Sequence, residues 1–135
     1  MAAHVFKVYG KVRGKSRPRH TRNGHTYTAP TDRVAEREIR EAYVNSGGKH
    51  YGDAPVWVTI TTYRRLPKST PKSMKELPDT VKPDVDNVAK LVMDALNGLA
   101  YDDDKQVIGL SVFKAPRKRC VEHMTIAIGR EGEEV

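Results

Sequence analysis

The sequence is poor in cysteine and tryptophan, with one of each among 135 residues, and it contains no long apolar run. A lone cysteine, Cys120, cannot form a disulfide within the chain, so a disulfide-stabilised fold is excluded and a reducing, cytoplasmic location is expected. No apolar stretch approaches the roughly 20 residues that cross a bilayer, so we predict no membrane segment. We predict one domain over residues 1–135, with an acidic tail at 130–135 that frays.

Acidic residues are absent from the first 31 positions, where seven lysines and arginines occur. The whole chain carries a net charge of +7. Clusters of cations are typical of surfaces that bind phosphate backbones, although a solvated basic surface is the alternative. A second basic run, "KAPRKR", follows a predicted strand, and its candidate nucleic-acid contacts are Lys114, Arg117, Lys118 and Arg119.

Apolar periodicity predicts the order β-α-β-α-β-β. Strands are expected at 4–12 and in "APVWVTITTYRR", and a helix with Thr31 as its cap is expected to end at Gly47-Gly48. The last two strands, in "KQVIGLSVFKA" and "CVEHMTIAIG", are expected to pair as a hairpin joined by the basic run. We therefore predict an α/β (α+β) fold, with a four-stranded mixed sheet and two main helices packed on it.

Two polar segments interrupt this pattern. The first, residues 13–30, contains Asn23-Gly24 and could form a hairpin there. The second, residues 64–82, contains several prolines and lysines, and a connection of this length is typical of a functional or mobile segment.

Six of the seventeen acidic residues fall between Asp84 and Asp104. A helix of roughly 84–97 is predicted there, closed by Asn97-Gly98, with an apolar stripe formed by Val85, Val88, Ala89, Val92, Ala95, Leu96 and Leu99. Asp84 and Asp86 lie in its first turn, and Lys90 and Asp94 follow on the same polar side. Asp102, Asp103 and Asp104 precede the next strand. The helix is about 20 Å long, so spacing alone does not say whether these late aspartates return to the first turn.

Two interpretations of these acids compete. Converging carboxylates with water suit Mg²⁺ or Mn²⁺, which assist phosphodiester cleavage, and a nearby lysine can stabilise the developing negative charge. Alternatively, acids in a first turn complement the helix dipole, and Asp94 with Lys90 is an ordinary i,i+4 pair, which is the interpretation we favour for Asp94. The spacing of a calcium loop and a His-Cys zinc cluster are both absent. The residues favour a metal-dependent phosphodiesterase.

The stretch "KPDVDNVAKLVMDALNGLAYDDDKQV" closely resembles the signature of the RusA-type Holliday junction resolvases, endodeoxyribonucleases of phages and prophages. The shared pattern is Pro-Asp-x-Asp-Asn, a lysine three positions after that Asn, Asp-Ala-Leu-Asn-Gly, and a closing Asp-Asp-x-Gln-Val. A looser similarity extends to "GKSRPRHTRNGHTYTAPT".

The resemblance implies a homodimer in a bacterial or phage-infected cell that binds four-way DNA junctions and nicks two opposed strands. It implies dependence on Mg²⁺, for which Mn²⁺ substitutes, with no organic cofactor. Position by position, it implies metal-binding and catalytic roles for Asp84, Asp86 and Asp104, a catalytic Lys90, and Asp103 as an additional candidate ligand. It also implies that the late aspartate returns to Asp84 and Asp86. The extra Asp102 makes the choice between Asp103 and Asp104 open. Basic residues of the N-terminal loop become candidate DNA contacts, together with one tyrosine: Lys15, Arg17, Arg19, Arg22 and Tyr27.

Two other functions fit the same residues. A non-catalytic nucleic-acid-binding protein would use the acids only as helix caps and turn residues, and its binding would weaken with salt without any product. A nuclease of broader specificity would cut flaps or forks as well as four-way junctions. The sequence does not separate these from a junction resolvase.

Overall fold

The computed structural model describes residues 2–16, 19–20, 24, 26–27 and 30–135, with the side chains of 19–20 and 26–27 outside the description. The elements in this part of the chain are β1 (His4–Tyr9), β2 (Arg19–His20), β3 (Thr26–Tyr27), α1 (Pro30–Asn45), β4 (Val56–Tyr63), β5 (Glu76–Leu77), α2 (Val85–Leu96), a 3-10 helix (Asp104–Gln106), β6 (Val107–Lys114), β7 (Arg117–Lys118) and β8 (His123–Arg130). Apart from four two-residue strands and the 3-10 helix, this is the predicted order. The α+β prediction is confirmed.

The main sheet has the strand order β1-β8-β4-β6. β8 is antiparallel to both β1 and β4, whereas β4 and β6 are parallel, so the sheet is mixed as predicted. The predicted hairpin of β6 and β8 is wrong, because β4 lies between them. Parallel strands need a crossover connection, and α2 lies in the crossover from β4 to β6. Alternation within a strand does not reveal which strand lies beside it, so this insertion could not be predicted from the alternating pattern.

The core lies between the sheet and the two helices. The predicted inward face of β4, formed by Val56, Val58 and Ile60, is at most 1% exposed. The predicted stripe is buried from Val88 to Leu96, but Val85 is 44% exposed because it is the first residue of the helix. Leu99 lies after the end of α2 and is only partly buried. Burial of each large apolar side chain stabilises the fold by about 1.5–3 kcal/mol, which fixes the polar side of α2 toward the surface.

The remaining helix and hairpin predictions are close to the structure. α1 begins at Pro30, whose fixed φ suits a first helical position, so Thr31 lies inside the helix instead of capping it. The turn after α1 includes Gly47 with φ +83°, as predicted. β2 and β3 pair antiparallel around Gly24. Within the described residues, neither helix is long and apolar enough to cross a membrane.

The acidic tail differs from its prediction. Ala3 N donates to the Glu134 carbonyl at 2.8 Å, and the Trp57 indole Nε1 lies 3.0 Å from the Arg130 carbonyl and 3.1 Å from that of Glu133. A half-buried indole N–H needs an acceptor, and the tail supplies it. The tail therefore folds back against β4 and β1 instead of fraying.

Candidate active site

Two carboxylates stand at the beginning of α2. Asp84 is the N-cap residue, yet its side chain makes no capping hydrogen bond, and Asp86 lies in the first turn. Both residues are exposed. The helix nevertheless starts cleanly, with Val88 N donating to the Asp84 carbonyl at 3.1 Å. The positive end of the helix dipole favours negative charge at this position, and the carboxylate of Asp84 is left available for a partner outside the helix.

Lys90 is exposed on α2, one turn after Asp86. Residues four apart lie on the same side of a helix, so Lys90 shares the polar side with Asp86. The favoured pairing of Lys90 with Asp94 is wrong: Asp94 Oδ2 lies 3.0 Å from the ammonium of Lys15. Lys90 is the one cation in the sequence of α2.

Lys15 connects three parts of the fold. Its Nζ lies 2.6 Å from Glu36 Oε1 of α1 as well as near Asp94 of α2, and its side chain is only 14% exposed. Burial lowers the pKa of Lys15, but the hydrogen bonds to Glu36 and Asp94 and their charges outweigh it, so its pKa lies above the usual value. This geometry gives Lys15 structural partners within the fold.

The N-terminal segment lies directly against the start of α2. Lys15 N donates to the Asn87 carbonyl at 2.8 Å, and a Cβ on Gly14 would lie 2.8 Å from Pro83 Cβ, so only glycine fits there. The buried carboxylate of Asp32 accepts the Ser16 N–H and hydroxyl at 3.1–3.2 Å. Sequence reasoning missed Asp32, because an acid in a first helical turn carries no mark of burial.

An open cleft lies between this segment and the start of α2. Asp84 lines it together with five cations, Lys11, Arg13, Lys15, Arg64 and Lys82. Sequence reasoning noted the basic N-terminus but did not single out Lys11 or Arg13, and it missed Arg64 and Lys82 as neighbours of Asp84. A cleft with one exposed acid and a cationic wall is suited to a phosphate group near a metal-binding carboxylate.

The late aspartates lie in and before the 3-10 helix. Asp103 caps this helix, accepting from Lys105 N at 3.3 Å, while Asp103 N donates to the Gln106 side chain at 3.0 Å. The hydrogen bond from Lys105 N, followed by one from Asp104, lowers the pKa of Asp103. The hydrogen bond with Asp103, burial, and the charges of Asp103 and Asp94 raise the pKa of Asp104. Asp102 is exposed and lies 3.3 Å from His50 Nε2.

These late aspartates directly follow Tyr101, whose carbonyl accepts the Gly98 N–H at 2.8 Å just after α2, so they lie near the C-terminal end of that helix. Tyr101, whose pKa is raised by burial and then by the charge of Asp104, donates its hydroxyl to the Met93 carbonyl at 2.9 Å. Asp94 is ten residues after Asp84, about 15 Å along a helix. The structure therefore brings Asp103 and Asp104 together at one end of α2, with Asp84 and Asp86 at the other.

The fit to a magnesium ion differs between the two ends. Mg²⁺ is usually held by one or two carboxylates plus water and substrate phosphates. Asp84 and Asp86 match that requirement, since both are exposed and the Asp84 carboxylate makes no capping bond. A three-carboxylate site is not formed: among the described residues, no group of three or more His, Cys, Asp or Glu could hold a metal ion.

The predicted basic run is engaged with the proline- and lysine-rich segment at 64–82. Lys114 Nζ donates to the Val81 carbonyl, Arg117 Nε lies 3.0 Å from the Arg65 carbonyl, and Lys118 Nζ lies 3.5 Å from Glu76. Arg119 donates to the carbonyls of Met74, Pro71 and Thr70. β5 and β7 also pair, so this segment is tied to the fold. Lys118 and Arg119 remain exposed.

The remaining predicted contacts fall in the N-terminal loop. Arg17 and Arg22 lie outside the described residues. Arg19 and Tyr27 belong to the β2–β3 hairpin, but their side chains are outside the description.

Comparison with known proteins gives two results. The family model described as endodeoxyribonuclease RusA matches residues 9–128. A protein of Bacillus subtilis (strain 168), described as the uncharacterized protein YqaN, is 36% identical over 81% of this chain and 84% of its own length. The match includes both ends of α2 and the cationic cleft.

Proposed function

The chain belongs to the RusA endodeoxyribonuclease family, and on this premise we propose that it resolves four-way DNA junctions by paired, symmetric nicking during recombination and repair. The observation that carries the proposal is the exposed pair Asp84 and Asp86 beside a cleft lined by cations. The positive surface would hold the polyanion, while the pair of carboxylates would hold the metal ion in a position that the DNA phosphates alone do not define.

We propose that Asp84 and Asp86 bind Mg²⁺, for which Mn²⁺ can substitute. When bound, such an ion activates water and neutralises charge on the phosphate and the leaving oxygen. Lys90, on the same side of α2 as Asp86, is proposed to stabilise negative charge on the phosphate. Asp104 and Asp103 remain proposed site residues through the family resemblance, although they lie at the other end of α2 in the chain.

The proposed DNA contacts combine cleft residues with the two basic runs. Lys11, Arg13 and Lys82 line the cleft, and Lys118 and Arg119 are exposed on the second run. The loop contributes Arg17, Arg19, Arg22 and Tyr27 to the proposal. Lys15 and Lys114 are left out because their ammonium groups bind carboxylates and carbonyls within the fold. Contacts of this kind hold phosphates without reading sequence.

A homodimer is part of the proposal, because symmetric nicking of two opposed strands requires two equivalent sites related by a two-fold axis. We place its activity in the cytoplasm of a bacterial or phage-infected cell. No organic cofactor is needed for phosphodiester hydrolysis.

The test uses a labelled four-way junction, a linear duplex of the same sequence, and Mg²⁺ present or chelated. We expect paired nicks in the junction only, with Mg²⁺ only, and no cleavage by Asp86→Asn, which still binds the junction because the basic surface is intact. Equal cleavage by the variant would exclude the proposed site. Flaps and forks in the same panel separate a junction resolvase from a broader branched-DNA nuclease, and salt-sensitive binding without products would indicate a non-catalytic binding protein.

A further inference from the structure

A compact network of charged groups lies beside the backbone that leads into Asp84 and Asp86, the first-turn pair of α2. Arg64 immediately follows β4, and Lys114 ends β6, so the parallel pairing of the two strands brings these cations to the same edge of the sheet. Between them lies Asp79, whose side chain is fully buried. Arg64 Nη1 donates to Asp79 Oδ1 at 3.2 Å, and Lys114 Nζ lies 3.8 Å from the same oxygen.

Both cations also bind the backbone that leads into α2. Arg64 Nη1 donates to the Lys82 carbonyl at 2.9 Å, and Lys114 Nζ donates to the Val81 carbonyl. Each side chain is only 14% exposed. Charge-assisted hydrogen bonds in such a poorly hydrated setting are stronger and more directional than ordinary ones. Two successive carbonyls, two and three residues before Asp84, are therefore held from the ends of two core strands.

The network is connected to the opposite wall of the cleft as well. Arg64 Nε lies 3.8 Å from Glu122 Oε1, and Glu122 Oε1 accepts the Val12 N–H at 2.9 Å. Within the described residues, Asp79 Oδ2 has no hydrogen-bond partner although it is buried. A buried, half-satisfied carboxylate is costly to the fold, so its retention requires a compensating role. Its place between the two cations indicates that it orients them.

We propose that Arg64, Lys114 and Asp79 are positioning residues for DNA cleavage, which fix the backbone entering α2 so that Asp84 and Asp86 keep their geometry. This inference rests on the proposed nuclease function. It assigns Lys114 to the support of the acidic pair instead of to direct DNA contact. Sites that hold reacting groups need support of this kind, since a displacement of about 1 Å can lower a rate by about 100-fold.

The test compares Lys114→Met with Lys7→Met, a matched loss of one positive charge at an exposed position of β1 outside the network. With the junction at saturation, we expect the single-turnover cleavage rate of Lys114→Met to fall by about 100-fold, while the Kd for the junction stays within about threefold. Lys114→Arg restores a charged donor and is expected to stay within about fivefold of the wild-type rate. Lys7→Met should cleave normally.

Hydrogen exchange gives a readout that does not depend on cleavage. In Lys114→Met, the amides of residues 81–88 should exchange about 10-fold faster, while those of α1 keep their protection. Thermal unfolding checks that Lys114→Met is folded. Arg64→Lys keeps the charge but loses the guanidinium fork, so it should also show slower cleavage, retained binding and faster exchange at residues 81–88. If the wild type cuts no junction, the proposed function fails, but the exchange data still decide on the network. Unchanged exchange at 81–88, or equal losses of binding and cleavage, would overturn the inference.

Discussion

Aspartates lie at both ends of α2, but they differ in whether the fold supplies them with partners. At the N-terminal end, Asp84 and Asp86 are exposed, and the carboxylate of Asp84 makes no capping bond. At the C-terminal end, Asp94 is bound to Lys15, and Asp103 caps the 3-10 helix. Exposed carboxylates without such partners are available for a metal ion, whereas paired ones are already used by the fold.

The charge of the neighbouring residues also differs between the two ends of α2. Cations line the cleft beside Asp84; one of them, Arg64, belongs to the buried network and donates to the backbone carbonyl of another, Lys82. Near the other end, acids lie close together, and the pKa of Asp104 is raised by its hydrogen bond with Asp103, by burial and by neighbouring negative charge. The N-terminal end is therefore the better place for an anionic substrate.

The largest effect that would test the difference between the two ends of α2 is expected for the Asp104→Asn variant. The family resemblance implies a catalytic role for Asp104, so we expect a loss of cleavage of at least about 100-fold with junction binding retained. Within one chain, Asp104 follows the C-terminal end of α2, where Asp94 is already about 15 Å along the helix from Asp84. A gel-based cleavage assay with the junction at saturation measures the effect, and wild-type activity in Asp104→Asn would remove this residue from the site.

Co-expression of Asp86→Asn with Asp104→Asn then shows whether the two ends act together across a dimer. If each site uses acids from two chains, half of the sites in a mixed dimer keep both wild-type residues, and single nicks reappear. If each site lies within one chain, every site in the mixed dimer carries one substitution and no nicks are formed.

A second prediction concerns Lys15, which holds Asp94 at the C-terminal end. We expect Lys15→Met to lower the free energy of unfolding by about 1–2 kcal/mol, because it leaves Glu36 and Asp94 without their cation in a partly buried setting. Urea unfolding at pH 8 measures the difference. Junction cleavage by the folded variant should be retained, and a large loss of cleavage without loss of stability would contradict a structural role.

The pH dependence of this contribution follows from the pKa of Lys15, which is raised in the folded state above its usual value of 10.5. A group with a raised folded pKa stabilises the protein fully below its unfolded pKa, and this stabilisation is lost as the pH rises through the folded value. The difference between wild type and Lys15→Met should therefore be constant from pH 6 to about pH 9 and shrink above about pH 10.5.

The smallest expected effect comes from the cations of the cleft. Replacing Lys11 and Arg13 together by serine should lower the slope of log K against log salt by about 1–2, since each phosphate contact contributes about 0.9. Lys105→Ser, a loss of charge at the other end of α2, should leave the slope unchanged. Filter binding of the junction from 50 to 200 mM salt measures the slopes. An equal change of slope in Lys105→Ser would contradict the proposal that DNA binds at the N-terminal end of α2.

The sequence predicted those features that depend on local patterning. The alternation of Val56, Val58 and Ile60, the apolar stripe of α2 and the glycine turns were all recognised, because periodicity and turn chemistry are local properties. The family signature identified the acidic pair by its spacing. Helix length alone did not decide whether the late aspartates return to Asp84, and the return that the resemblance implies is not seen within the described residues of one chain.

The features that could not be predicted depend on contacts between distant parts of the chain. Nothing local indicates that β4 enters between β6 and β8, or that Asp94 binds Lys15 instead of Lys90. The network of Arg64, Asp79 and Lys114 joins residues up to 50 positions apart, and only the parallel pairing of β4 with β6 brings Arg64 close to Lys114. Burial of a charged residue is decided by such packing, and single residues in the sequence carry no sign of it.

The central claim is that the first-turn pair of α2 carries out metal-dependent cleavage of branched DNA. The most direct measurement is single-turnover cleavage of a four-way junction by wild type and Asp86→Asn, with and without Mg²⁺, at equal and saturating occupancy. We predict paired nicks by the wild type only when Mg²⁺ is present, and a rate at least about 100-fold lower for the variant, with unchanged junction binding. Cleavage by Asp86→Asn at the wild-type rate would contradict the account.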